Sequence, residues 1–293
     1  MPPVRYIAPK VLLVWKITPM PKVSVLITLY NAAPFVRQAL ESVFAQDFQD
    51  LELCVVDDGS SDDSLAILRE IAAAAPVPLH WKTQPNAGQA AALNTAFEMA
   101  SGEIIALLDG DDYWYPSKLS EMLDFMVLNP GGGVYQHQVD DGAGIPLRPF
   151  VVSGDIFGKW TSLGTVNPVV HQDWMVINMP TTGLLFTRST FESIGPLPAA
   201  MVVNPDFYLF VLGCSLGPVY TSPRSLGCWR QHPGNASRRG AYSFKSYWVR
   251  VLFPLVNEKL AQRGHLVRFK FNRAAILWQP LVLLKAVWRR RNA

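Results

Sequence analysis

The chain has 293 residues, of which 49% are hydrophobic and 17% charged, and its formal net charge is +3. This apolar content suffices for a sizeable core and excludes a globally disordered chain, while the small net charge gives no indication of nucleic-acid binding. No run approaches the roughly 18 apolar residues of a membrane-spanning helix, and the short run at residues 11–15 lacks a signal-peptide cleavage site. Three widely spaced cysteines indicate neither a disulfide framework nor a zinc site. We therefore expect a cytoplasmic protein without a nucleic-acid partner.

The first 20 residues differ from the rest of the chain. They contain four prolines and mixed charges, and they show no periodicity that would join them to a sheet. We expect residues 1–20 to form a peripheral N-terminal extension, and we expect deletion of residues 1–19 to leave the melting temperature and activity nearly unchanged.

From residue 21 onward, short apolar runs alternate with segments of helical periodicity. This pattern predicts an α/β fold with a Rossmann-like, mostly parallel sheet, because strand–helix–strand units with short connections form right-handed parallel crossovers. The predicted strands are residues 23–29, 51–56, 79–82 and 104–108, and the predicted helices are residues 34–45, 64–75 and 89–100.

The second half of the chain is less regular. Residues 131–164 are rich in glycine and predict loops, and the apolar run within residues 181–189 predicts either a strand or the floor of a cleft. Residues 205–216 predict a helix, and residues 228–237 a strand end that continues into a loop. The pattern of residues 244–291 is helical.

Polar side chains follow three of the predicted strands. Thr28 and Tyr30 lie at the end of the first, Asp57 and Asp58 at the end of the second, and the acidic run that begins at Asp109 follows the fourth. Ligands of open α/β sheets bind outside the carboxyl ends of the strands, so these groups are expected to converge on one edge.

The acidic run Asp109-Gly110-Asp111-Asp112 is the strongest chemical signal. Bare carboxylates would repel a diphosphate, but a hard divalent cation can take carboxylate oxygens on one side and phosphate oxygens on the other. A turn or a helix N-terminus, where aspartate is also favoured, is the structural alternative.

Asp58 and Tyr30 suggest a site for a nucleobase. A carboxylate can accept a hydrogen bond from a base imide, and an aromatic ring can stack on the base. The structural alternative for Asp58-Gly59 is an ordinary turn, and Tyr30 alone is compatible with a strand-end aromatic residue.

Four ordered motifs together resemble the family 2 inverting glycosyltransferases, which have the GT-A fold of nucleotide-diphospho-sugar transferases. The resemblance spans about residues 21–237. The motifs are residues 22–31, residues 55–60, Asn86-Ala87-Gly88 with Asn94, and residues 107–112.

The resemblance implies a role for each matching residue. Thr28, Tyr30 and Asp58 would hold the base, Asp109 would contact the ribose or the donor sugar, and Asp111 would bind Mn²⁺ or Mg²⁺. The segment from Asn86 through Gly88 to Asn94 would line the donor pocket.

Asp206 occupies the place of the family's catalytic base, at the start of a helix. It is preceded by Pro205, where the family pattern commonly has glutamate. Because proline is favoured in a first helical turn, a simple helix-start role for Asp206 stays open.

The segment from Trp229 to Ser237 resembles a late family element. There His232 would reach the metal or the diphosphate and Arg230 would pair with a phosphate; a solvated surface loop is the alternative. The Gln-x-x-Arg-Trp signature of processive members is absent, so a single addition per acceptor is expected.

The C-terminal residues 276–291 combine apolar side chains with Lys285 and three terminal arginines. They predict either a basic amphipathic helix on the inner face of a membrane or a helix packed on the catalytic domain. The expected organisation is an extension (1–20), a catalytic domain (21–240) with donor-binding (21–115) and acceptor (116–240) halves, and a helical tail (241–293).

The expected partners are a nucleotide-diphosphate sugar and a glycan or lipid-linked acceptor of cell-surface polysaccharide synthesis. A nucleotidyltransferase and a non-catalytic carbohydrate-binding relative are the alternatives.

Overall fold

The computed structural model describes residues 23–146, 153–163, 165–166, 180–235 and 247–269. The predicted extension at residues 1–20 and the predicted basic tail at residues 276–291 lie outside the described residues.

The first half of the chain forms the predicted parallel sheet. Its strands lie in the order β3-β2-β1-β4, all parallel, and the register pairs Leu29 with Asp57 and Thr28 with Asp109. The ends of these strands therefore lie side by side, as the sequence predicts. The elements are β1 (Val23–Leu29), α1 (Val36–Phe44), β2 (Leu51–Asp57), α2 (Ser64–Ala72), β3 (Leu79–Thr83), α3 (Gln89–Met99) and β4 (Ile104–Asp109).

The second half extends the same sheet with mixed strand directions. The strand β9 (Leu184–Thr187) runs antiparallel to β4 and to β6 (Val134–Asp140), and β10 (Val219–Cys228) runs parallel to β6. The other elements are β5 (Tyr113–Trp114), α4 (Lys118–Leu128), β7 (Ser153–Gly154), α5 (Ile156–Leu163), β8 (Thr165–Val166), α6 (Arg188–Ile194), α7 (Pro205–Cys214), α8 (Phe253–Gln262) and β11 (Arg268–Phe269).

The prediction of loops across residues 131–164 was wrong, because this region contains β6 and α5. The strand β6 reads Val-Tyr-Gln-His-Gln-Val-Asp, which lacks the apolar run or strict alternation of a typical strand. All seven residues are nonetheless buried, since the strand lies between β9 and β10 in the sheet interior.

Two hydrophobic cores cover the two faces of the sheet. One packs α1, α2 and α4 against it through residues such as Leu40, Leu68 and Leu123. The other packs α3, α6, α7 and α8, through residues such as Leu93 and Phe207. The result is a three-layer α/β architecture with its strand ends free to form a site.

Within the described part of the chain, no helix is long and apolar enough to cross a membrane.

Candidate active site

A cavity of about 300 Å³ opens at the carboxyl edge of the parallel strands. Its volume lies at the lower end of the range usual for small-ligand sites. Eight of the predicted site residues line it: Thr28, Tyr30, Asp58, Gly88, Asp109, Asp111, Asp206 and His232. The predicted site residues Asn94 and Arg230 are not part of this lining.

Asp58 organises the loop that precedes α3. Its buried carboxylate accepts hydrogen bonds from Nε2 of Gln84 at 2.8 Å and from the backbone N–H groups of Ala87 at 2.9 Å and Gly88 at 2.8 Å. Tyr30, by contrast, is 44% exposed at the cavity. Asp58 therefore shapes one wall of the cavity, and its contact with a base stays a prediction.

Gly88 brings this loop against the segment that leads to α7. Its φ of +89° lies in the left-handed region, and a Cβ there would lie 2.8 Å from Cα of Val202. The next residue, Gln89, donates its backbone N–H to the carbonyl of Val202 at 3.2 Å. A glycine at this position allows the two sides of the cavity to meet.

The acidic turn, defined as Asp109 to Asp112, follows β4 directly. Gly110 donates its backbone N–H to the carbonyl of Thr28 at 3.2 Å, and a Cβ at Gly110 would lie 2.8 Å from that oxygen. Oδ1 of Asp109 accepts a hydrogen bond from Nε2 of Gln89 at 2.7 Å. The turn is thus held tightly against the end of β1.

The pKa of Asp109 lies well above its ordinary value. Burial contributes most, followed by repulsion from the carboxylates of Asp112, Asp111 and Asp206, while a hydrogen bond from Thr181 opposes the shift. These acidic groups repel one another, and a cation bound beside them would relieve that repulsion.

The carboxylates of Asp109, Asp111 and Asp112 can place one oxygen each within 4.8 Å of the others. Asp112 is, however, completely buried, and both its oxygens are engaged: Oδ2 accepts from the hydroxyl of Thr182, and Oδ1 from the backbone N–H of Arg230 at 2.9 Å. Burial and the neighbouring Asp111 raise the pKa of Asp112 well above its ordinary value. Asp112 is therefore a structural member of the turn.

Asp111 and His232 meet at the cavity. Nε2 of His232 lies 3.0 Å from Oδ2 of Asp111, and both side chains are partly exposed. The histidine ring packs on Phe35 at a centroid distance of 4.5 Å, and its backbone N–H donates to Oδ1 of Asn235 at 2.5 Å. A carboxylate oxygen and an imidazole nitrogen are suitable ligands for Mn²⁺, and a carboxylate suits Mg²⁺, so these two residues fit a divalent cation.

Arg230 lies outside the cavity lining. Its Nη1 donates to the backbone carbonyl of Asp111 at 2.7 Å and its Nη2 to Oε1 of Gln38, and the guanidinium stacks over Phe35 and Tyr113 at 5.2 and 4.7 Å. In this arrangement the partly exposed guanidinium supports the backbone of the acidic turn. The pairing of Arg230 with a donor phosphate stays a prediction.

Asn94 also has a structural role. Its Nδ2 donates to the carbonyl of Leu197 at 2.9 Å, and its Oδ1 accepts from the N–H of Leu197 at 2.8 Å. The side chain thereby ties α3 to the loop after α6, away from the cavity.

Asp206 lies in the first turn of α7 and lines the cavity. Pro205 occupies the start of this helix, and Asn204 before it adopts a left-handed conformation with φ of +59°. The carboxylate is close enough to Asp109 to raise its pKa. The helix-start position and a position facing a ligand are therefore compatible.

Gln89, Thr181, Trp229 and Asn235 also line the cavity; each lies in a segment that sequence reasoning connected with the site, but none was given a role of its own. Gln89 directly follows the Asn-Ala-Gly motif, and Thr181 directly precedes an apolar run, so proximity to a motif was the available signal for both.

Comparison with known proteins identifies the family. The model of glycosyl transferase family 2 matches residues 24–180. An uncharacterized glycosyltransferase of the cyanobacterium Nostoc sp. is 29% identical over 260 residues, which are 86% of this chain and 80% of that protein.

Two solved structures share the fold. TarS of S. aureus in complex with UDP-GlcNAc has a TM-score of 0.63 at 18% identity, covering 82% of this chain and 66% of TarS. The mannosyltransferase PcManGT of Pyrobaculum calidifontis, in complex with GDP-Man and Mn²⁺, has a TM-score of 0.57 at 22% identity, covering 78% of this chain and 61% of PcManGT. The chain thus spans at most about two thirds of either solved chain, and at these identities the likeness concerns the fold alone.

The matched region is more than half of the 293 residues and contains the cavity-lining motifs from Thr28 to Asp111. The neighbours confirm the predicted GT-A type of α/β fold, and the protein belongs to glycosyl transferase family 2.

Proposed function

We propose that this protein transfers a single sugar from a nucleoside-diphosphate donor to an acceptor hydroxyl, with inversion at the anomeric carbon. The observation that carries the proposal is that Asp111 with His232 and Asp206 line one cavity, at the strand ends of a family 2 fold.

The donor would lie across the ends of the parallel strands. Tyr30 presents an exposed ring on which a base can stack, and the carboxylate of Asp58 lies in the same wall next to Thr28. Gly88 and Asp109 extend this wall towards the acidic turn. The neighbours' donors, UDP-GlcNAc and GDP-Man, support a nucleotide sugar as the ligand class.

Asp111 and His232 would hold Mn²⁺ or Mg²⁺. A bound cation would neutralise charge that develops on the leaving nucleoside diphosphate. Mn²⁺ in the PcManGT complex supports this assignment. Asp112 is completely buried and its oxygens accept hydrogen bonds from Thr182 and Arg230, which favours Asp111 as the ligand.

Asp206 would act as the general base. It accepts the proton of the acceptor hydroxyl while that oxygen bonds to the anomeric carbon and the bond from that carbon to the diphosphate oxygen breaks. One displacement from the opposite face inverts the configuration. A base of this kind contributes roughly 10²–10⁴-fold to the rate.

The acceptor would be a glycan or a lipid-linked saccharide of the cell envelope, and the enzyme would add one sugar at a time. A peripheral contact of the basic residues 276–291 with the inner face of the membrane would bring the site close to a lipid-linked acceptor.

A donor screen tests the proposal. Nucleotide sugars of uridine and guanosine are added with Mn²⁺, with Mg²⁺ or with excess EDTA, and thermal stability and donor hydrolysis are measured. A true donor at about 100 times its Kd should add roughly 2.7 kcal/mol of stability, only when the metal is present. Absence of stabilisation and hydrolysis with every donor would contradict the proposal and favour a non-catalytic relative.

A further inference from the structure

The hydroxyl of Thr182 joins the two ends of the acidic turn. Its Oγ1 accepts the backbone N–H of Asp109 at 3.3 Å and donates to Oδ2 of Asp112. Thr182 is completely buried and does not line the cavity. One hydroxyl therefore fixes the first and last residues of the turn that presents Asp111.

The other oxygen of Asp112 reaches the loop that carries His232. Oδ1 accepts a hydrogen bond from the backbone N–H of Arg230 at 2.9 Å. The guanidinium of Arg230 in turn donates a hydrogen bond to the backbone carbonyl of Asp111 at 2.7 Å. The carbonyl of Arg230 accepts from Nδ2 of Asn235 at 3.1 Å, and Asn235 in turn holds the backbone of His232. Asp111 and His232 are thus positioned by the same set of hydrogen bonds.

Thr182 is itself held firmly. Its carbonyl accepts the indole N–H of Trp114 at 3.0 Å, and the 3-10 turn around it is closed by Gly183 donating to Pro180 at 2.8 Å. The position of the hydroxyl is therefore fixed, so it can orient the carboxylate of Asp112.

We propose that Thr182 is a positioning residue for the cation and the diphosphate: acting through Asp112 and Arg230, its hydroxyl holds Asp111 and His232 in the arrangement that binds them. The inference rests on the proposed function, since it assumes that Asp111 and His232 bind a divalent cation. It adds a residue that touches neither ligand.

The test compares Thr182→Val, which keeps the shape but lacks the hydroxyl, with Thr182→Ser, which keeps the hydroxyl. The full chain is titrated with Mn²⁺ in the presence of UDP and, separately, GDP, and free Mn²⁺ is followed by electron paramagnetic resonance. Because hydrogen bonds to charged groups are strong, Thr182→Val should weaken Mn²⁺ binding about tenfold to a hundredfold. Thr182→Ser should bind within about threefold of the wild type if the hydroxyl alone is responsible.

Thr221→Val is the matched control. Thr221 is also a buried threonine, and its Oγ1 accepts from Nε2 of Gln136 at 2.9 Å, away from the acidic turn. Its loss should lower the melting temperature to a similar degree and leave Mn²⁺ binding unchanged.

Each outcome is decisive. If Thr182→Val binds Mn²⁺ as well as the wild type does, or if Thr182→Ser loses as much affinity as Thr182→Val, the positioning role is overturned while the proposed function stands. A Thr221→Val variant that loses Mn²⁺ binding equally would reduce the effect to general destabilisation and also overturn it. A wild type that binds no Mn²⁺ with either nucleotide overturns this inference together with the metal dependence of the proposed function.

Discussion

The two halves of the sheet differ in where their strands carry polar residues. In the parallel half, β1, β2 and β4 bury almost continuous apolar runs, and their polar residues are concentrated at the strand ends. In the other half, β6 buries Gln136, His137 and Gln138 in its middle. The first arrangement separates the core from the chemistry along the strand, whereas the second places polar groups inside the core.

The polar interior of the second half includes a lysine at the start of α4. Lys118 is completely buried, its Nζ lies 3.3 Å from the centroid of the Trp114 ring, and within the described residues this Nζ has no hydrogen-bond partner. Burial lowers its pKa well below the ordinary value. Burial of a polar group without such a partner costs stability.

The largest effect is expected at the edge of the parallel half. Asp111→Asn removes the carboxylate proposed to hold the cation, so it should abolish transfer and weaken metal-dependent donor binding, both measured on the purified protein. Asp124→Asn, at an exposed position of α4, is the matched control and should change neither. Turnover of the wild type in excess EDTA would contradict the assignment.

The second half is proposed to contribute the base. Asp206→Asn keeps the size of the side chain but cannot accept the acceptor proton, so transfer should fall roughly 10²–10⁴-fold. Donor affinity should stay close to that of the wild type, in contrast to Asp111→Asn. If Asp206 is only a helix-start residue, the change should instead cost a few tenths to about 1 kcal/mol of stability and spare turnover.

The third prediction concerns the buried amine of Lys118 in the second half. Lys118→Met should raise the free energy of unfolding at pH 7 by about 1–4 kcal/mol, measured by chemical denaturation. Burial lowers the pKa of the folded lysine below that of the unfolded one, so folding loses stability as pH falls below 10.5. The gain should therefore shrink as pH rises towards 10.5, and the exposed Lys82→Met should show no comparable gain.

The smallest expected effect concerns acid stability. Burial, aided by the charge of Lys118, lowers the pKa of His137 to about 3 from 6.5. Its contribution is therefore complete above pH 6.5 and is lost as pH falls towards 3. At pH 5, one and a half units below 6.5, the loss is about 2 kcal/mol.

The measurement is the difference between the wild type and His137→Asn in the free energy of unfolding at pH 7 and at pH 5. The raised pKa values of Asp109 and Asp112 change stability with pH in the direction opposite to that of His137. They do so equally in both proteins, so the difference between the proteins isolates His137. Equal pH dependence in the two proteins would show that the pKa of His137 is the same in the folded and the unfolded chain.

The contrast between the halves also explains how far sequence reasoning reached. Strands such as β1 and β4 could be predicted because a buried parallel strand needs a short apolar run, and the turn residues after it mark its end. The strand β6 could not, since its residues Gln136 to Gln138 resemble a loop and become a strand only between β9 and β10.

The same limit applies within the site. The acidic turn was located from four consecutive residues, but the difference between Asp111 and Asp112 depends on hydrogen bonds that span the chain. Thr182 lies 70 residues from Asp112, and Arg230 lies 118 residues from it. The residue pattern alone does not separate the two carboxylates, and only the resemblance to the family assigned Asp111.

The sequence by itself determined the family, the parallel half of the sheet, and the edge at which the polar residues meet. It did so because apolar runs and strand-end turns are local, and the carboxyl ends of neighbouring parallel strands always lie together. Only the tertiary structure decided that Asp112 is structural, that Arg230 supports the acidic turn, and that Asp206 shares a cavity with Asp111. Those outcomes depend on which distant groups occupy each oxygen and nitrogen, and on the packing of α7 against the sheet, which no local pattern encodes.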